Sequence, residues 1–193
     1  MKLSRKYNKS LENKWVMRFK TIHPDGDAYE AVLMCMKRLF VVLRIVTNFE
    51  LDGTMIFPKK VICGCRDAKF EECYNDIIRN NQQIDSLSSP QWLHNCESIR
   101  EVISELMQRD IWPGIEVLFD KDKVRRSAFF IGPIVEIKKN KFFVKCYDAA
   151  GKWEKVYPIR YDEVFRIEFD SKYCNHFNEY MKTHNKDGRT DAA

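Results

Sequence analysis

Two stretches of this chain repeat at an offset of 103 residues without a gap, and this repeat constrains the fold more than any other feature. Residues 61–70 align with residues 164–173, so that Asp67 matches Asp170. Downstream, apolar residues recur in both copies at i, i+4, i+7 and i+8, which is one face of an α-helix. Each copy therefore predicts a strand, a short turn and an amphipathic helix, with the aspartate capping the helix N-terminus.

The residues upstream of each copy predict β-hairpins, because they are rich in β-branched and aromatic side chains and turn over a basic tip. The hairpins cover 29–46 and 129–147, opening strands lie at 15–19 and 115–119, and turns follow at 52–53 and 148–151. Five short strands in meander order can curl into a small barrel that hides its edges. The alternative is two unrelated α+β modules that share a pattern by chance.

The predicted fold class is mostly β with α: two tandem five-stranded SH3-like or Sm-like barrels, each closed by a C-terminal helix and joined by a linker helix. An apolar stripe between the two copies predicts that linker helix. The predicted organisation is a basic N-terminal arm at 1–14, a first barrel with its helix at 15–81, a helical linker at 82–113, a second barrel with its helix at 114–184 and a disordered tail at 185–193.

The net charge of +5 is concentrated at one end of the chain. Residues 1–20 carry seven basic side chains and one acidic side chain, so the remainder of the chain is slightly acidic. A basic isoelectric point of this origin is weak support for nucleic-acid binding by the folded part, although the arm can be a contact element.

The sequence predicts a cytoplasmic protein without a membrane span. It has no uninterrupted apolar run of about 18 residues and no apolar segment after the basic N-terminus that would indicate a secretory signal. In a reducing compartment the seven cysteines are expected to be small buried apolar side chains rather than a disulfide framework.

Catalytic, metal and cofactor sites are not predicted. Cys63 and Cys65, with Cys73, could supply soft metal ligands, but no second close pair completes four ligands. The four histidines lie near no recognisable nucleophile signature, and no glycine-rich phosphate loop occurs. We therefore expect a protein that is not an enzyme and needs no cofactor.

Basic loop residues and one tryptophan are the candidate binding residues, for a nucleic acid or another partner. Lysine and arginine contact phosphates, and exposed aromatic rings, for which Phe142, Phe143 and Tyr147 are further candidates, can stack on bases. The simpler interpretation is solubilising loop charge and core aromatics. The candidates are Lys37, Arg38, Lys59, Lys60, Arg125, Arg126, Lys138, Lys139, Lys141 and Trp153.

Residues 130–137, 148–153 and 161–173 resemble small bacterial proteins of uncharacterised function that have tandem SH3-like or Sm-like barrels, and residues 48–60 and 70–78 are similar in kind. The resemblance implies a bacterial source and this fold, and it brings no activity or site residues.

Taken together, the sequence favours a non-enzymatic binding or regulatory protein that acts through protein–protein contacts. The alternative is binding of RNA or single-stranded DNA, and an enzyme with a cryptic site ranks below both. The expected partners are an unknown protein or a nucleic acid but not a membrane. Homodimerisation through unpaired sheet edges is a further expectation.

Overall fold

The computed structural model describes residues 5–80, 84, 87–121 and 124–184, with the backbone alone for residues 5, 6, 121, 124 and 125. Within them the chain forms four α-helices and eleven β-strands, and it divides into two compact units, residues 1–99 and 100–193. The elements of the first unit are α1 (Arg5–Asn13), β1 (Val16–Thr21), β2 (Ala28–Met36), β3 (Phe40–Thr47), β4 (Glu50–Pro58), β5 (Ile62–Arg66) and α2 (Lys69–Asn80). The next are α3 (Ile99–Gln108), β6 (Gly114–Lys121), β7 (Val124–Ile131), β8 (Ile134–Ile137), β9 (Lys141–Tyr147), β10 (Trp153–Arg160), β11 (Val164–Phe169) and α4 (Lys172–His184).

The strands of the first unit form an antiparallel sheet in the order β5-β1-β2-β3-β4. The apolar runs of β2 and β3 make the predicted hairpin, and β1 pairs with both β2 and the last strand β5. Helix α2 packs its apolar face on the sheet, where Tyr74 and Ile78 join Val16, Val32 and Val46 in one buried cluster.

The predicted basic arm is a helix, α1, over the residues that the structure describes. Ser10 is fully buried, donates its hydroxyl to the Trp15 carbonyl at 2.6 Å and accepts the Leu33 N–H at 2.9 Å. Lys9 pairs with Asp67 at 3.1 Å. These bonds attach α1 to the sheet rather than leaving it free.

The second unit contains two three-stranded antiparallel groups, β11-β6-β7 and β10-β9-β8. Its last strand, β11, pairs with its first, β6, as β5 pairs with β1 in the first unit. Helix α4 contributes Cys174 and Met181 to a buried cluster with Trp112, Ile131 and Tyr147. The strand, turn and helix predicted at the end of each copy are present, and the duplication itself stays a hypothesis.

The prediction of two five-stranded barrels is wrong, because no sheet in the described chain closes on itself. In the first unit a short 3-10 helix at Lys59–Val61 separates β4 from β5, and β5 pairs with β1 alone. In the second unit the first strand of the hairpin predicted at 129–147 breaks at Gly132 and Pro133. Gly132 has a φ of +144°, and Pro133 has no N–H to donate to a neighbouring strand. The strand therefore ends here, and β7 and β8 join different sheets.

The turn predicted at Asp52-Gly53 is also wrong, since both residues lie within β4. The chain turns at Asn48 and Phe49 instead, with φ values of 51° and 64°. Two consecutive residues of positive φ suit the twist of a tight hairpin. Phe49 is held there by Tyr74, whose hydroxyl accepts the Phe49 N–H at 3.0 Å and whose ring stacks on it at 4.3 Å.

The turn predicted at 148–151 is confirmed: the Asp148 carboxylate accepts the N–H groups of Ala150 and Lys152, each at 2.9 Å. The predicted aspartate caps differ from the structure. Asp67 accepts the indole N–H of Trp15 at 3.0 Å, and at α4 it is the Ser171 hydroxyl that accepts the Cys174 N–H, at 3.1 Å.

None of the helices in the described residues is long and apolar enough to span a membrane. The predicted linker helix corresponds to α3, which begins at the boundary between the two units. The predicted tail at 185–193 and the first four residues of the predicted arm lie outside the described residues.

Candidate functional site

The outward face of the β8-β9-β10 sheet carries an aromatic ring, Phe143, with two lysine ammonium groups near it and Glu136 as its partner on β8. Side chains alternate between the faces of a strand, and in β9 Phe142 and Val144 are buried while Lys141, Phe143 and Lys145 lie on the other face. Lys138, Lys141, Phe143, Lys145 and Arg160 are called the cationic face below.

Phe143 lies at the centre of the cationic face. The ammonium nitrogens of Lys138 and Lys141 lie 4.9 and 5.2 Å from the centroid of its ring, which is the distance of a cation–π contact. Across the ladder, Pro158 pairs with Phe143 and Val156 pairs with Lys145, and Val156 is 41% exposed. The face therefore combines an accessible apolar strip with positive charge.

The β8-β9-β10 sheet is more basic than the net charge of the whole chain indicates. Residues 134–160 contain seven basic side chains and three acidic ones. Glu136 pairs with Lys138 at 3.1 Å, and Arg160 is engaged by Asp162 at 2.8 Å. The exposed position of these pairs keeps them weak and available for exchange with a phosphate.

The aromatic candidates do not lie together on this face. Phe142 and Tyr147 are buried, and Trp153 is half-buried with its ring 5.9 Å from those of both Trp112 and Tyr147. Burial raises the pKa of the Tyr147 hydroxyl, and that hydroxyl donates to Asn178 at 2.7 Å. The structure thus places Trp153 against the core of the second unit and leaves Phe143 on the cationic face.

The remaining basic candidates of the second unit are distributed more widely. Lys139 is exposed in the turn between β8 and β9, next to the cationic face. Arg126 is exposed in β7, where it pairs with Phe119 of β6. Arg125 also belongs to β7, and its side chain lies outside the described residues.

In the first unit, three of the four basic candidates meet at a pocket. Arg38, Lys59 and Lys60 line a cavity of about 500 Å³. Its apolar wall consists of Phe19, Met36, Val41 and Ile62, and Tyr7 of α1 completes it. This cavity is called the α1 pocket below.

Lys37 points elsewhere, although it is next to Arg38 in sequence. Its ammonium donates to the His94 carbonyl at 2.7 Å and pairs with Glu97 at 2.8 Å. The hydrogen bond with Glu97 raises the pKa of Lys37. The side chain therefore attaches the β2–β3 turn to the end of the short 3-10 helix at Gln91–Asn95 and to Glu97 after it.

The cysteines and histidines do not converge on a chemical site in the part of the chain that the structure describes, and no metal-binding group occurs there. Burial raises the pKa of Cys146 to about 12 and that of Cys174 to about 11, so both thiols stay protonated at neutral pH. Cys63 and Cys73 are exposed.

Lys145, Arg160 and Tyr7 belong to the two sites but were not predicted from the sequence. The alternation of Lys141, Phe143 and Lys145 in a predicted strand was a usable signal, because it places all three on one face. Arg160 and Tyr7 have no such signal, since each reaches its site through pairing or packing with a distant part of the chain.

Comparison of the chain with protein-family models, with curated proteins and with solved structures gives no match. The resemblance to uncharacterised bacterial proteins stays a prediction, and function has to be argued from the two sites.

Proposed function

We propose that this is a non-enzymatic binding protein whose second unit holds a single-stranded nucleic acid on the cationic face. The observation that carries the proposal is the pair of ammonium groups, from Lys138 and Lys141, that lie 4.9 and 5.2 Å from the centroid of the Phe143 ring. Proteins that bind single strands combine cations that follow the phosphates with aromatic rings on which bases stack.

A single strand fits this face better than a duplex does. A base within a duplex is already stacked, whereas an unpaired base can lie on Phe143 and the strip beside it. Pro158 and Val156, which pair with Phe143 and Lys145, extend that apolar strip along the strands. Under this proposal Lys145 and Arg160 contact the phosphates that follow.

The test is the affinity of the full chain for a fluorescent single-stranded RNA and for DNA of the same sequence, measured by anisotropy at several salt concentrations. The protein is first washed at high salt to remove any nucleic acid that co-purifies. Phe143→Ala and the double variant Lys141→Gln/Lys145→Gln should each weaken binding by about tenfold, given the contribution of stacking and of phosphate contacts.

The matched control is Lys20→Gln/Lys69→Gln, which removes the same charge from exposed positions in the first unit. It should leave the affinity within about twofold, because neither lysine belongs to the cationic face. Absence of binding at low salt would contradict the proposal. So would equal loss in the control, or duplex binding that Phe143→Ala leaves unchanged.

A protein partner is the second candidate, and the observation that favours it is an exposed aromatic pair on the second unit. Phe129 and Tyr173 are 39% and 49% exposed, and their rings lie 6.2 Å apart. Large exposed aromatic residues are common anchors in interfaces. A partner that co-purifies after nuclease treatment and is lost in Tyr173→Ser would support this candidate.

A further inference from the structure

The α1 pocket has the size and composition of a small-molecule site. Its volume of about 500 Å³ lies within the range of ligand pockets, roughly 300–1,000 Å³. Such sites are mostly apolar with a few charged groups that fix the orientation of the ligand. Here Phe19 and Val41 are buried wall residues, and Met36 and Ile62 are half-buried beside them.

The polar side chains of the α1 pocket are cations apart from one tyrosine. Arg38, Lys59 and Lys60 contribute the charge, and its described lining contains no carboxylate. Tyr7 is not an anion either, since burial, followed by interaction with Cys65, raises the pKa of its hydroxyl to about 12. The pocket therefore offers positive charge beside an apolar wall, with no negative group to repel an anion.

The backbone holds two of these cations together. Arg38 lies in the β2–β3 turn and Lys59 begins the 3-10 helix after β4, and the Lys59 N–H donates to the Leu39 carbonyl at 2.8 Å. Phe40 pairs with Pro58 directly behind this contact. Neither Arg38 nor Lys59 has an acidic partner among the described residues. Both side chains line the same cavity, so an anion bound there is attracted by both positive charges.

We propose that the α1 pocket binds an amphiphilic organic anion. An aliphatic or fused-ring body lies on Phe19, Met36, Val41 and Ile62, and a carboxylate or phosphate lies between Arg38, Lys59 and Lys60. This site is independent of the cationic face.

The experiment is calorimetric titration of the full chain with four probes, each below the concentration at which it forms micelles. Dodecanoate and dodecyl phosphate carry both features of the ligand, dodecanol lacks the charge, and inorganic phosphate lacks the apolar body. Dodecanoate or dodecyl phosphate should bind once per chain, and the tighter of the two identifies the headgroup. Dodecanol and inorganic phosphate should each bind at least about tenfold more weakly, since each loses one of the two interactions.

Variants locate the binding. Arg38→Gln/Lys59→Gln should weaken the tighter probe by about tenfold, as expected for loss of charge-assisted hydrogen bonds, and Lys69→Gln, exposed on α2, should leave it unchanged. Circular dichroism reports whether the double variant folds. If it does not, Lys60→Gln, at an exposed position, is the second variant.

Three outcomes would overturn the proposal. Dodecanol could bind as tightly as the anions, inorganic phosphate could bind as tightly as they do, or the double variant could keep its affinity. Binding of many probe molecules per chain, with no change in any variant, would also overturn it. Oligonucleotide affinity measured with and without dodecanoate keeps the two proposals separate, because failure of one site leaves the other measurable.

Discussion

Arg166 donates its Nε–H to the Glu116 carboxylate at 2.6 Å and so links the last strand of the second unit to the first. The same guanidinium lies 3.4 Å from Glu168. Both carboxylates belong to buried residues, so one arginine neutralises two acids. At the matching positions of the repeat, 103 residues earlier, stand Cys63 and Cys65. The two units therefore stabilise their last strands by different chemistry.

Replacing Arg166 with glutamine should destabilise the second unit by about 3 kcal/mol, because breaking a buried ion pair leaves uncompensated charge. The free energy of unfolding from urea titration is the measurement. Arg126→Gln, at an exposed position of β7, is the control and should change it by less than about 0.5 kcal/mol. Equal effects of the two variants would contradict the role given to Arg166.

The buried thiols should make stability fall at alkaline pH. Burial raises the pKa of Cys146 from 9.0 to about 12 and that of Cys174 from 9.0 to about 11. A thiol that holds its proton more tightly when folded contributes its full stability below the unfolded pKa and loses it as pH rises through the folded pKa. Urea midpoints should therefore decrease between about pH 9 and 12. Cys146→Ala should flatten this decrease, whereas Cys73→Ala, at an exposed site, should leave its slope unchanged.

Thiol labelling should divide the cysteines by exposure. Cys63 and Cys73 are exposed and should react first with an aromatic disulfide reagent. The buried Cys96, Cys146 and Cys174 should react only as the chain unfolds, because reaction requires an accessible thiolate. Mass spectrometry of peptides from a time course checks the order. Early modification of Cys146 would show that the second unit opens more readily than its packing indicates.

Gly132→Ala should destabilise the second unit by at least about 2 kcal/mol, since the residue has a φ of +144° and a Cβ there would collide with the Lys145 carbonyl oxygen. Gly64→Ala is the matched control, because a Cβ added there would meet no described atom within 4 Å and the φ of Gly64 is ordinary. The control should be neutral or slightly stabilising. Thermal unfolding midpoints of the two variants distinguish these outcomes.

The salt dependence of oligonucleotide binding should report single phosphate contacts. Each lysine that neutralises a phosphate contributes about one unit to the slope of log affinity against log salt. Lys145→Gln should therefore lower that slope by about one, whereas Phe143→Ala should lower the affinity and leave the slope nearly unchanged. The assignment of stacking to Phe143 and of charge to Lys145 would be contradicted if Phe143→Ala changed the slope and Lys145→Gln did not.

Local features of the fold were predictable from the sequence, and closure of the sheets was not. The hairpin of β2 and β3 and both strand–turn–helix segments follow from periodicity within short windows. Barrel closure depends on which distant strands pair, and a two-residue break at Gly132 and Pro133 redirected β8 to a different sheet. The Asn48–Phe49 turn was missed because its support, Tyr74, comes from a helix 25 residues away.

The candidate sites divide in the same way. Lys138 and Lys141 were predicted because they cluster in sequence, and Arg38 and Lys59 were predicted in separate loops. Arg38 and Lys59 share one pocket because of the register of β3 against β4. That register cannot be predicted from composition. Trp153 was chosen for its aromatic character, and its place beside Trp112 depends on packing across 41 residues of chain.

The pairing of each unit's last strand with its first has a consequence for synthesis on the ribosome. β1 emerges early but acquires its second neighbour only when β5 has left the exit tunnel, and β6 has to wait in the same way for β11. The pairing that completes each sheet joins strands far apart in sequence. The chain therefore loses much loop-closure entropy before the contact that compensates for it can form. A nascent chain that stalls before β5 or before β11 has left the exit tunnel therefore exposes one long side of a strand that has a neighbour on each side in the finished sheet.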